Sequence, residues 1–202
     1  MKHISKSGMF AVFLRVFTGL CLLASLFLGV ISVASHRWIE RYAKNGTQFY
    51  HMGLWKFCDM KQCHVSIETG FILNNNLGNM LKYVRILFCV GVFANLVALS
   101  YFMFDCLILM KKGHLMVINM CIILSGVLKG VGMILFTEHF KVNNFQWGWS
   151  HTVGLSSAIL LAVALLTSFY YMRKYGWTEE DRRKKQKSSS YKFDKVDFDG
   201  YD

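Results

Sequence analysis

Signatures of catalysis are missing from this chain. No Ser-His-Asp constellation, His-Glu-x-x-His metal motif, phosphate-binding glycine loop or dinucleotide fingerprint occurs in its 202 residues, and each of those chemistries needs its residues at set spacings. The seven histidines are scattered without ligand spacing. An enzyme is not expected, and neither a cofactor, a metal nor a nucleic-acid partner is implied. Proline is absent altogether. The apolar residues do not follow amphipathic spacing, which argues against a soluble globular domain. Strict apolar–polar alternation over about ten residues is also missing, and that excludes the strands of a membrane barrel. No small-x-small cleavage site follows the first apolar run, which is too long for a signal-peptide core, so that run reads as an uncleaved helix.

What is present is hydrophobicity in blocks. The chain is 54% hydrophobic with positive mean hydropathy, and its apolar residues gather at 9–34, 86–110, 115–136 and 152–172. About 20 apolar residues of helix cross a hydrocarbon core of about 30 Å. Each block meets that length, so the sequence predicts an all-α membrane protein with four transmembrane helices. Residues 1–8, 111–114 and 173–202 then lie on one side, and 35–85 and 137–151 on the other. The first group carries Lys2, Lys6, Lys111, Lys112 and nine basic residues after Met172, against eight basic residues in the second. Positive charge stays inside, so both termini are expected in the cytoplasm and residues 35–85 outside, at the plasma membrane.

That topology places Cys58 and Cys63 in an oxidising compartment, where they can form a disulfide. A loop that short contributes roughly 2 kcal/mol on the chain-entropy estimate. The other reading keeps two free or metal-binding thiols, with His51 and His64 nearby. Cys21, Cys89, Cys106 and Cys121 fall within helices and read as packing residues. Asn45-Gly46-Thr47 is an N-glycosylation acceptor whose use depends on the same topology.

Trp38, Gly53-Leu54-Trp55, Cys58, Cys63 and Arg85 form a W…GLW…C…C…R pattern between the first and second helices. The pattern resembles that of the claudin superfamily, over residues 9–172, and "FQWGWSHTVG" at 145–154 is similar to the start of the family's fourth helix. The short gap between the cysteines and "LMKKGHL" at 109–115 are more similar to the epithelial and peripheral-myelin membrane proteins and the lens fibre tetraspan protein. The resemblance implies a left-handed four-helix bundle with a small extracellular β-sheet. Residues 35–70 would form most of the sheet, and Trp38, Leu54 and Trp55 would pin it to the membrane surface. Aromatics flanked by turn residues in "GTQFYHMGLWKFCDM" agree with strands. The chain departs from claudins in ending "DGYD" and in having no cysteine after the fourth helix. Both departures weigh against a tight-junction strand former scaffolded by PDZ domains.

Three charges fall inside helices, where ionisable residues are costly and mark function. Arg15 and Asp105 lie at similar depth, free either to pair or to snorkel separately. Lys129 either snorkels outward or meets a polar partner. Gly126 and Gly130 form a small-xxx-small pair that allows close approach inside the bundle or to another protomer, internal packing being the commoner case. The tail is expected to be disordered. Its Arg182, Arg183, Lys184, Lys185 and Lys187 lie where anionic lipid would attract them, and phosphorylation of Ser188–Ser190 or Tyr191 would weaken that hold. Lys195, Val196 and Phe198 match the docking motif for protein phosphatase 1, which adds a strand to its partner. Two functions remain open. One is a structural protein of cell junctions or specialised membrane domains, binding other membrane proteins in cis or trans through its outer loop. The other is an auxiliary subunit of a channel, transporter or receptor, similar to the calcium-channel gamma branch.

Overall fold

The computed structural model describes residues 6–42, 48–59, 62–65, 75–108, 112–140 and 146–176. Long apolar stretches without proline leave the backbone one way to satisfy its N–H and C=O groups in lipid, which is within the segment itself, as helix. The result is α1 (Lys6–Ala34), α2 (Asn75–Ile108), α3 (Lys112–Phe140) and α4 (Trp149–Tyr171), the last continuing into a wider π-helical turn at Met172–Gly176. All four contain a span long and apolar enough to cross a membrane: Met9–Ala34, Met80–Cys106, Leu115–Glu138 and Trp149–Tyr175. They close into a ring in chain order, with α1 lying most intimately on α4 and α2 on α3.

The strands are β1 (Ile39–Tyr42), β2 (Gln48–Met52), β3 (Lys56–Asp59) and β4 (Cys63–Val65), with β5 (Gln146–Trp147) joining from the connection between α3 and α4. They make one antiparallel sheet in the order β4-β3-β2-β1-β5. Ile39 pairs with Met52 on one side and Trp147 on the other, so both connections at this end of the bundle are stitched into one surface.

The helix ends depart from the sequence expectation, furthest at the start of α2 and the end of α3. α2 begins at Asn75 rather than 86, and α3 runs to Phe140 rather than 136. The added turns of α2 carry Leu81 and Val84 under the sheet, where both are buried with Trp38, Ile39, Met52, Leu54, Phe88, Met133 and Phe136. The apolar span itself reaches back to Met80, but hydropathy does not distinguish a side chain buried against protein from one facing lipid. A second cluster at the opposite end joins Cys21, Leu22, Ala98, Phe102, Ile118, Ile122, Leu161 and Ala164.

Candidate functional site

The sheet-bearing end is assembled around Trp38. Its indole is fully buried, crosses Phe88 and Phe136 edge-on at 5.0 and 4.9 Å, and donates Nε1–H to the Ser32 carbonyl at 2.7 Å. Its own amide donates to Met52 O and its carbonyl accepts from Gly148 N–H, so one residue ties β2, α1 and the approach to α4 together. The two glycines beside it are steric requirements. A Cβ on Gly53 would stand 2.3 Å from His36 Cα, and one on Gly148 would stand 2.0 Å from Arg37 O. Gly53 N–H closes the β2–β3 turn on Lys56 O. The turn drives Leu54 into the core, while Trp55 stays 39% exposed with its Nε1–H on Val33 O. Arg85 donates Nε–H to Leu54 O and lies over the Trp55 ring.

The membrane-surface role expected for Trp38 and Leu54 is therefore corrected. Both enter the bundle core, because the Trp38 indole finds its acceptor inside α1, and Trp55 alone of the three keeps an outward face. Cys58 and Cys63 are joined as a disulfide across the β3–β4 pair. The alternative of metal-binding thiols fails for a simple reason. The His51, Cys58 and Cys63 donor atoms lie within 4.8 Å of one another, but the sulfurs are bonded to each other and offer no thiolates. Burial first, then the neighbouring His36 and Arg37, hold the His51 imidazole below its usual pKa, so it is neutral at pH 7.

Within the bundle, α1 and α4 are joined by hydroxyls. Ser25 and Ser157 each donate to the other's carbonyl at 2.9 and 2.8 Å, Ser32 donates to Ser150 O at 3.0 Å, and Thr18 meets Thr167 at 2.9 Å. Lys129 is wholly buried on α3 and donates to Ser157 Oγ at 2.9 Å, resolving its two readings in favour of a polar partner. Gly29 and Gly91 make room for it: a Cβ on either would stand 3.0 Å from the lysine side chain. Asn95 Nδ2 donates to Ser25 Oγ and Ser125 Oγ donates to Gly91 O, completing a polar layer across the middle. The row Thr18, Ser25, Ser32 is absent from the sequence reading, although its seven-residue period is visible and is that of a left-handed helix seam.

Arg15 and Asp105 pair rather than snorkel apart. Asp105 is buried, and a carboxylate removed from both water and lipid headgroups needs a partner. Gly126 and Gly130 correct their expectation: a Cβ built on either meets nothing within 4 Å. Ser125 and Lys129, one position before each, take the inward face of α3, and a helical step of about 100° turns the glycines outward. Asn45, Arg182, Arg183, Lys184, Lys185, Lys187, Lys195, Val196 and Phe198 lie outside the described residues.

The sequence model of the PMP-22/EMP/MP20/Claudin family matches residues 10–171. No individual curated protein matches the chain.

Proposed function

The chain belongs to the PMP-22/EMP/MP20/Claudin family, and from that premise we propose that it is a non-enzymatic tetraspan protein that organises cell contacts or specialised membrane domains through its sheet-bearing end. The observation that carries the reading is the splicing of both connections into one sheet anchored by buried Trp38. Such a surface is preorganised, so binding does not have to order it. Arg37, Arg41, Lys56 and Lys82 are exposed at this end, and Trp147 and Trp149 are 41% and 48% exposed. Basic and aromatic groups together suit an acidic partner surface.

In this reading the sheet is extracellular, both termini are cytoplasmic, and Asn45 carries a glycan. The tail rests on anionic lipid and offers Lys195, Val196 and Phe198 to a phosphatase. Expression in cells that lack junctions tests the main claim. The protein should concentrate where two expressing cells touch, and Arg37→Glu with Lys56→Glu should reduce that concentration several-fold without loss of surface protein. Uniform distribution along the membrane would defeat the reading. A glycosidase-sensitive mobility shift that disappears in Asn45→Gln checks the orientation.

One observation favours a second reading, an auxiliary subunit of another membrane protein. The outward face of α3 sets Gly126 and Gly130 between exposed Ile123, Val127 and Ile134, a shape that admits a foreign helix closely. Co-purification of a channel or receptor in mild detergent, lost in Gly126→Leu with Gly130→Leu, supports this reading over the first.

A further inference from the structure

At the end of the bundle away from the sheet, α1 and α2 part to leave a groove of about 540 Å³. Its floor is a close approach: a Cβ on Gly19 would stand 2.8 Å from the Phe102 ring. Its walls are Val16, Leu20 and Met103, which are 56%, 58% and 54% exposed and so face lipid. One charged side chain, Arg15, joins an otherwise apolar lining that also includes the Cys106 thiol.

A guanidinium has five N–H donors. Among the described residues Arg15 uses Nη2 on Asp105, and its face lies over the Tyr171 ring at 5.1 Å. Arg15 Nε and Asp105 Oδ1 are buried and have no hydrogen-bond partner among the described residues. Of the ion pair, Arg15 lines the groove and Asp105 does not, so the guanidinium is the polar corner of an apolar groove that opens to lipid.

We propose that this groove holds a sterol, with the ring system along the Gly19–Phe102 floor and the hydroxyl at Arg15. A hydroxyl oxygen accepts hydrogen bonds, so one small neutral group answers the Arg15 guanidinium, the charged side chain that lines the groove. The alternatives fit less well. A phospholipid would bring its phosphate against the Asp105 carboxylate, which already neutralises Arg15. A diacylglycerol would bring two ester carbonyls into a lining whose donors, apart from Arg15, amount to a weak thiol. A sterol carries one small polar group on a rigid apolar body, which matches a groove with one polar corner.

The molecule contains its own control. A second groove of about 570 Å³ lies between the same two helices at the sheet end, lined by Val30, Val92, Phe93 and Trp55 among others. There the Trp55 Nε1–H is already donated to Val33 O at 2.8 Å. That groove offers size and apolarity with a thiol, Cys89, but no charged side chain in its lining, so no preference for a hydroxylated lipid is expected there.

The test uses the full chain in phosphatidylcholine vesicles with a sterol carrying a photoreactive group on its rings. After irradiation, mass spectrometry should find adducts within 12–23 and 99–106. Unlabelled cholesterol should displace the probe, and its 3-deoxy counterpart should do so about tenfold less well, the cost of leaving a charged donor unmet. Leu20→Trp, on an exposed wall position that leaves the ion pair intact, should remove most of the labelling. Arg15→Leu with Asp105→Leu, confirmed folded by its thermal melt, should erase the difference between the two competitors. Adducts spread over α3 and α4, adducts at the sheet-end groove, equal competition by the deoxy sterol, or better displacement by diacylglycerol or phosphatidylserine would each overturn the proposal.

Discussion

α1 has two seams, and they are built on opposite plans. Toward α4 it presents Thr18, Ser25 and Ser32, and each meets a hydroxyl or carbonyl across the interface. Toward α2 it presents Val16, Leu20 and Leu23 at one end and Leu26 and Val30 at the other, with a groove at each. Lipid tails are as apolar as leucine, so aliphatic side chains gain little by leaving them for one another. Small polar residues gain hydrogen bonds that lipid cannot offer, and they let the backbones close. The closed seam is therefore made by serine and threonine, and the open one is crossed by the Arg15–Asp105 pair and by the Asn95–Ser25 hydrogen bond.

Substitutions along the two seams should separate these plans. The largest effect belongs to Arg15→Leu, which leaves the buried Asp105 carboxylate unpaired and should cost about 3–5 kcal/mol in reversible unfolding from mixed micelles. Adding Asp105→Leu should return most of that loss. If the double variant is as unstable as the single, the charge pair is not what holds the open seam. On the closed seam, Ser157→Val removes the exchange with Ser25 and the partner of Lys129 together, for about 2 kcal/mol. Adding Lys129→Met should reduce that loss, since the stranded ammonium is part of it. Ser32→Ala removes one hydrogen bond and should cost about 0.6 kcal/mol, a typical value for such bonds in membranes. Leu20→Ala on the open seam should change stability by less than about 0.5 kcal/mol, because the side chain leaves lipid for lipid. A larger loss there would mean that the groove walls carry packing after all.

Much of this architecture was legible in the residues. Four apolar blocks of spanning length gave the helices, and the W…GLW…C…C…R spacing pointed to the family and its sheet. The direction of Trp38 was not legible, because interfacial and buried tryptophans have the same sequence signal and differ only in where the indole N–H finds its acceptor. The fifth strand was hidden because two residues, Gln146 and Trp147, are too few for a periodic pattern. Gly126 and Gly130 announced close packing but not its direction, which was set by Ser125 and Lys129 beside them. The pairing of Arg15 with Asp105 needed the antiparallel register of α1 and α2, which places side chains 90 residues apart in contact.

Thr18, Ser25 and Ser32 recur every seven residues, and Ser150 and Ser157 facing them share that interval. Two rulers with identical marks can be laid together at more than one setting. Slid by two turns, α4 would bring Ser150 opposite Ser25 and recover part of the same bonding. What fixes the setting is Gly148, at the head of α4, seated against the Arg37 carbonyl with no room for even a methyl group. Lengthening the chain between Gly148 and Ser150 should therefore leave two helices that still mate but no longer agree on where to stop.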